Sequence, residues 1–349
     1  MKNNCKKMIA AYLSDWGWIG ISEEAASCLT HVNYSFALLR DGSVSDAHWT
    51  HAKELDEAIA KYPHLTFVIS IGGWGAGGFS EAALTEEGRQ RFAASAMDVL
   101  RRHGFGGIDV DWEYPCRSDA EIASSPDDKE NFTLLLQTLR AYLDEETAKT
   151  GKEYLLSIAV GAGAAFTKDI ELEKINGILD YVNLMTYDMK EWDRVTHHSN
   201  LCPSGEYDRG WSAAQCVDAY HAGGIDLDKL VIGGAFYGHS YEIECDHPLG
   251  QTENFTRARN MRYSHIRREC TEENGWKKYR DEAARAPYLY NGKKIVIYDD
   301  AQALADKTDF VYDRGLGGIM FWEFNEDDSG ELVRAIADAA AAREQQNKA

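Results

Sequence analysis

The sequence predicts an α/β chain folded as a (β/α)8 TIM barrel, with a small α+β insertion between its seventh and eighth strands. Three observations predict it. Eight apolar, β-branched or aromatic runs of five to eight residues recur along the chain, most followed by a segment of helical periodicity, which is the pattern of parallel strands joined by helices. The chain has 349 residues, roughly 100 more than the ~250 that a bare barrel needs. Much of the surplus falls in one aromatic and charged stretch, too long for an ordinary loop.

Met8–Leu13 reads as the first strand, followed by His31–Leu38, Leu65–Ile71, Gly107–Trp112, Tyr154–Val160, Tyr181–Thr186, Leu230–Ala235 and Gly318–Trp322. Between them, Arg89–His103 places Phe92, Ala96, Val99 and Leu100 on one helical face. Asp128–Leu143 does the same with Phe132, Leu135, Leu136, Leu139 and Leu143. Ser212–Gly223 opens on a serine and closes on Gly223-Gly224, a cap and a stop. From His239 to Ile295 aromatic residues crowd together (Tyr241, Phe255, Tyr263, Trp276, Tyr279, Tyr288, Tyr290). The expected division is therefore a barrel of residues 1–238 and 297–349 with an inserted subdomain at 239–296. A doubly wound open sheet is the alternative architecture, but no G-x-G-x-x-G follows the first strand.

Composition narrows the partners. Apolar residues make up 44% of the chain, enough for a large core. No run approaches the ~20 apolar residues of a membrane span, so no membrane partner is expected. Met1 to Met8 carries three lysines but neither the apolar stretch nor the small-residue cleavage site of a secretory signal. The expected location is cytoplasmic, or secreted if a leader has been removed. With 57 acidic against 37 basic side chains the net charge is −20, which argues against nucleic acid and suits a neutral ligand. A monomer is expected.

Seven cysteines (Cys5, Cys28, Cys116, Cys202, Cys216, Cys245, Cys270) include no C-x-x-C pair, and their odd number and wide spacing predict free thiols in a reducing compartment. Cys28 and His31 find no further ligands, so no metal site is expected. His197, His198 and His221 have no complementary ligands in sequence and read as surface or satisfied core. With no P-loop and no dinucleotide fingerprint, no cofactor is expected.

The sharpest feature is Gly106-Gly107-Ile108-Asp109-Val110-Asp111-Trp112-Glu113-Tyr114-Pro115. Alternation along a strand puts Asp109, Asp111 and Glu113 on one face and Ile108, Val110 and Trp112 on the other. In a barrel the carboxylates would point inward, with Glu113 at the C-terminal rim where active sites of this fold lie. Like charges so close cannot all ionise, so one proton is retained. A carboxylic acid kept protonated near neutrality can protonate a leaving oxygen.

This run resembles the D-x-x-D-x-D-x-E signature of glycoside hydrolase family 18, the chitinases and their relatives. Further motifs follow in order over nearly the whole chain: Ser70-Ile71-Gly72-Gly73-Trp74, Met185-Thr186-Tyr187-Asp188, Tyr298-Asp299-Asp300 and Gly317-Gly318-Ile319-Met320-Phe321-Trp322. The stretch with Trp276 and Pro287-Tyr288-Leu289-Tyr290 is similar to the family's chitinase-insertion domain. Two positions depart from the pattern. Gly106 stands where the signature begins with Asp, and His239 follows Tyr237-Gly238 where relatives often carry Arg.

The resemblance implies hydrolysis of β-1,4-linked N-acetylglucosamine oligomers or chitin by a retaining, substrate-assisted route. Glu113 would be proton donor, Asp111 would orient the sugar's acetamido group, Asp109 would share its proton, and Tyr187 would donate to the acetamido oxygen. Met185 would line the acetamido pocket, Asp188 would bind a sugar hydroxyl, and Trp322 would form the floor. Tyr12, Phe36, Gly73, Trp74 and Tyr237 match wall positions. Alternatives within the resemblance are a chitinase-like sugar-binding lectin, in which the final acid is replaced, and an endo-β-N-acetylglucosaminidase or cell-wall glycan hydrolase. Chain-length preference would depend on the loops Cys116–Pro126 and Glu191–Arg209.

Overall fold

A computed structural model describes residues 6–205 and 211–347. Cys5, and residues 206–209 of the second loop expected to shape the cleft, lie outside the described residues. Eight parallel strands form the central sheet: β1 (Met8–Ser14), β2 (His31–Arg40), β4 (Thr66–Gly72), β5 (Gly107–Asp111), β6 (Leu155–Gly161), β7 (Tyr181–Met185), β8 (Leu230–Ala235) and β14 (Gly318–Trp322). They pair in sequence order. The ring closes because β1 pairs with both β2 and β14, with Met8 opposite Gly318 and Ala10 opposite His31. A short hairpin strand, β3 (Ser43–Ser45), pairs antiparallel with β2.

The eight runs expected from the sequence are these eight strands, to within two residues at most ends. Apolar side chains that point outward meet the helices. Phe92, Ala96 and Leu100 are buried on the helix Glu86–His103, which is capped by Thr85 accepting from Gly88 N. The helix expected to stop at Leu143 runs on to Thr150. Its last two turns are polar and so lack periodicity. They are tied instead by Lys149–Glu145 and Arg101–Glu146 ion pairs, both 2.7 Å, and end on the left-handed Gly151.

After β8 the chain leaves the barrel and builds a five-stranded antiparallel sheet in the order β10-β9-β13-β12-β11. Its strands are β9 (Tyr237–Ile243), β10 (Phe255–Arg262), β11 (Lys277–Asp281), β12 (Ala286–Tyr290) and β13 (Lys294–Tyr298). A separate small core of Val195, Tyr241, Ile243, Leu249, Tyr290, Ile295 and Ile297 supports it. No helix among the described residues is long and apolar enough to cross a membrane. The six described cysteines are all free thiols.

Beneath the new sheet lies a buried ion pair. Lys307, from the helix Ala301–Arg314, reaches Asp299 Oδ2 at 2.5 Å and Ser199 Oγ at 2.6 Å. The same carboxylate oxygen accepts from Ala235 N at 2.9 Å, and the Ser199 hydroxyl lies 3.3 Å from Thr186 O. One lysine thereby joins the ends of β7, β8 and β13, which frame the site.

Candidate active site

Strand alternation sets the chemistry on β5. Ile108, Val110 and Trp112 are buried on one side, where Trp112 stacks on Phe79 at 5.4 Å and meets Phe132 edge-on. The other side carries Asp109, Asp111 and Glu113. Asp109 is fully buried and accepts four hydrogen bonds: from Tyr12 Oη (2.8 Å) and Ser70 Oγ (2.7 Å) on Oδ2, and from Ser157 Oγ (2.7 Å) and Asn183 Nδ2 (3.2 Å) on Oδ1. Burial pushes its pKa up and the four donors pull it partly back.

Asp111, one step toward the rim, is buried, and its Oδ1 has no partner among the described residues. Burial, then the charges of Glu113 and Asp109, raise it well above the usual carboxylate range. Glu113 is 9% exposed. Burial pushes it up to about 7, a hydrogen bond with Tyr114 opposes the rise, and the Asp188 charge adds to it. The row therefore holds protons near neutral pH.

Tyr187 follows β7 and lies against β8 at Gly233, where a Cβ would come within 2.8 Å of its ring. Thr186 Oγ1 fixes that approach by bonding to both Gly233 O (2.9 Å) and Gly233 N (2.7 Å). Among the described residues the Tyr187 hydroxyl has the Met320 sulfur, 3.9 Å away, as its one hydrogen-bond partner. Burial raises its pKa well above that of free tyrosine, so the hydroxyl keeps its proton. Met185 is buried beside Tyr12 and Met320 in the barrel interior.

Aromatic rings surround this centre. Phe36 stacks on Trp322 at 5.5 Å, and Tyr12 lies 5.8 Å from Trp322. Gly73, at φ 93°, passes so close to Phe36 that a Cβ would sit 2.6 Å from its ring, so only glycine fits there. Trp74 is 65% exposed and 6.4 Å from Tyr114. Tyr237 donates to Asp188 Oδ2 at 2.8 Å and lies 6.2 Å from Tyr187. Tyr12 is almost wholly buried, and its hydroxyl is directed to Asp109.

The two departures have local explanations. A Cβ at Gly106 would meet Thr66 Cγ2 at 2.9 Å, so the neighbouring strand fills the space an acid would need. His239 Nε2 contacts Asp188 Oδ1 at 2.5 Å, and Lys190 Nζ reaches the same oxygen at 2.8 Å. Two basic groups thus meet the carboxylate where relatives often have one arginine. Burial alone would raise Asp188, but its hydrogen bond to His239 and the nearby Lys190 charge hold it well below the usual range.

The expectation that the histidines lack complementary ligands fails for His198. The chain after β7 folds back and brings it against Asp188 and His239, from segments far apart in sequence, which no local spacing reveals. His197 instead faces Asp281 at 3.3 Å. Sequence reasoning also passed over Trp16, 52% exposed and 6.1 Å from Trp322, and Trp192, 82% exposed. Trp16 follows the end of the first strand and Trp192 stands among charged residues, both outside any apolar periodicity, and that was the signal available.

The family model described as glycosyl hydrolases family 18 matches residues 8–327. Chitinase A1 of Niallia circulans is 37% identical over 298 residues, covering 78% of this chain, and the aligned chain spans 42% of that protein's length. Chitinase 1 of Aphanocladium album is 31% identical, covering 92% of this chain and 82% of its own. Among solved structures, a glycoside hydrolase family 18 N-acetylglucosaminidase from Paenibacillus barengoltzii superposes with a TM-score of 0.91 at 37% identity, covering 95% of this chain and 99% of that one.

Proposed function

The chain is a chitinase-type member of the glycosyl hydrolases of family 18, and we propose from that premise that it cleaves β-1,4-linked N-acetylglucosamine oligomers by a retaining, substrate-assisted route. The observation that carries this reading is the buried β5 row, with Glu113 pushed up to about 7 at the rim of an aromatic cleft.

Glu113 protonates the glycosidic oxygen as the bond to the anomeric carbon breaks. The acetamido oxygen of the same sugar attacks that carbon and forms a cyclic intermediate, so the nucleophile is already tethered in place. Asp111, raised and with an unpartnered oxygen, accepts the acetamido N–H and orients it. Asp109, saturated with donors, shares the proton of Asp111 from below. Tyr187, with no oxygen acceptor of its own, donates to the acetamido oxygen as charge develops there. Water then attacks the anomeric carbon and gives its proton to Glu113 while the bond to the acetamido oxygen breaks, which regenerates the acetamido group and restores the starting configuration.

Trp322 and Phe36 supply the floor, with Trp74 and Tyr237 as walls, Met185 lining the acetamido pocket, Gly73 leaving room for Phe36, and Asp188 taking a sugar hydroxyl. The segment 239–296 acts as a subdomain walling the cleft. Its own sheet and the contacts of Tyr237 and His239 with Asp188 support this. The same reading gives a monomer acting on a neutral glycan, and the free thiols suit a reducing compartment.

The test is stereochemical. Proton NMR of a β-linked N-acetylglucosamine oligomer during cleavage should show the β-anomer first. Early α-anomer, or equal cleavage beside glucosamine, would sink the substrate-assisted route even if the oligomer is degraded.

A further inference from the structure

The mechanism uses Asp188 but not the two histidines and the lysine packed around it. One ring nitrogen each of His198 and His239 and one carboxylate oxygen of Asp188 lie mutually within 4.8 Å. Both rings are nearly inaccessible, whereas the Asp188 side chain is half-exposed. Asn260 Oδ1 lies 2.7 Å from His239 Nδ1, which fixes the ring and leaves Nε2 facing Asp188. Arg257 Nη2 also lies 3.2 Å from Nδ1, so both neighbours hold the ring from behind, and a metal would replace the proton that Nε2 shares with Asp188. His198 Nε2 is buried without a partner.

A cation already sits in this position. Lys190 Nζ is 2.8 Å from Asp188 Oδ1 and 3.2 Å from His239 Nε2, with its side chain 9% exposed. The ammonium is thus placed between two of the three candidate ligand atoms. It is carried on a flexible four-carbon stem that can withdraw.

We propose that Asp188, His198 and His239 form a divalent metal site of the zinc class on the wall of the cleft, with Lys190 as its built-in competitor. Two imidazoles and one carboxylate, the last half-exposed to solvent that could supply a fourth ligand, suit zinc rather than calcium or magnesium, which demand oxygen. The net charge of −20 raises the local concentration of cations. A bound zinc ion draws Asp188 Oδ1 away from the lysine and blocks the approach of a sugar hydroxyl. The metal therefore inhibits hydrolysis, a consequence that rests on the proposed role of Asp188.

The test uses the full chain and cobalt(II) chloride as an optical probe, with zinc as competitor. Wild type should gain one equivalent of visible d–d absorption, removed by zinc and free of the near-ultraviolet band of thiolate ligation. Lys190→Met, which keeps the stem and removes the charge, should shift the midpoint to a concentration about tenfold lower or more. His239→Arg and His198→Asn should abolish the signal, with melting curves confirming that they fold. Absence of the band from both wild type and Lys190→Met, its persistence in His239→Arg, or a thiolate band would overturn the site. Zinc should inhibit wild type and spare His239→Arg. Cobalt binding without zinc inhibition would leave the metal site standing and overturn the role of Asp188.

Discussion

The Tyr12 hydroxyl on β1 donates a 2.8 Å hydrogen bond across the barrel interior to Asp109 Oδ2 on β5. Tyr12 is thereby a support for the innermost acid as well as a neighbour of Trp322. Tyr12→Phe should remove one of four donors and cost about 1.5–3 kcal/mol, the range for a hydrogen bond to a charged group. Asp109, less well held as an anion, should titrate higher, so the acid limb of the kcat profile should move up in pH. Chemical denaturation and a kcat–pH series check the two halves separately. Unchanged values in both would mean that the bond does not position the acid.

Replacing Glu113 with Gln keeps the shape and removes the transferable proton. Turnover on a chromogenic N-acetylglucosamine oligomer should fall by about 10²–10⁴-fold or more, with oligomer affinity largely retained. A variant keeping half of wild-type turnover would show that Glu113 is not the donor.

Two pH effects follow from the raised Glu113. As an acid it must be protonated, so kcat/KM should fall with a one-proton slope as pH rises through about 7. Stability has the same sign. The folded state holds this proton up to about 7, whereas the unfolded chain releases it near 4.5. The stabilisation is complete below the lower value and is lost between the two, amounting to roughly 3 kcal/mol at most. Glu113→Gln has no such titration, so wild type should lose stability relative to it across that window. A constant difference from pH 4 to 8 would count against a raised Glu113.

Trp322 stacks on Phe36 but is only partly buried. Trp322→Ala should therefore raise KM and lower kcat while costing less than the ~3–5 kcal/mol of a buried tryptophan. Calorimetry alongside oligomer kinetics separates the roles. Normal kinetics with a collapse in melting temperature would assign it to packing alone.

Lys307→Met should leave Asp299 buried without its cation and cost about 3–5 kcal/mol, read from urea denaturation. The double change Lys307→Met with Asp299→Leu should recover part of that loss. A neutral single substitution would mean that the pair does not hold the ends of β7, β8 and β13 together.

Much of this was legible in the sequence because it follows from periodicity. The eight strands show as apolar runs, and the β5 row shows as acids spaced two apart, so both the barrel and Glu113 could be read locally. What stayed hidden depends on distance in sequence. The four donors to Asp109 come from four different strands. His198 meets Asp188 only because an irregular segment turns back on itself, and no pattern of residues encodes that return. The polar end of the helix Asp128–Thr150 was missed for a third reason: charge pairs, not apolar spacing, hold it.

The pairing of Met8 with Gly318 also governs when the molecule can exist. A ribosome delivers residues in order, so the seam of the cylinder lacks its second side until some three hundred residues have emerged. Until then the sheet that carries the acids of β5 has an open edge. The nascent chain can assemble helices and neighbouring strands as it goes, but the enclosure that perturbs Asp111 and Glu113 arrives last. Closure therefore waits for β14, and a chain released before that strand is made would carry every acid of the row in a cylinder that cannot shut.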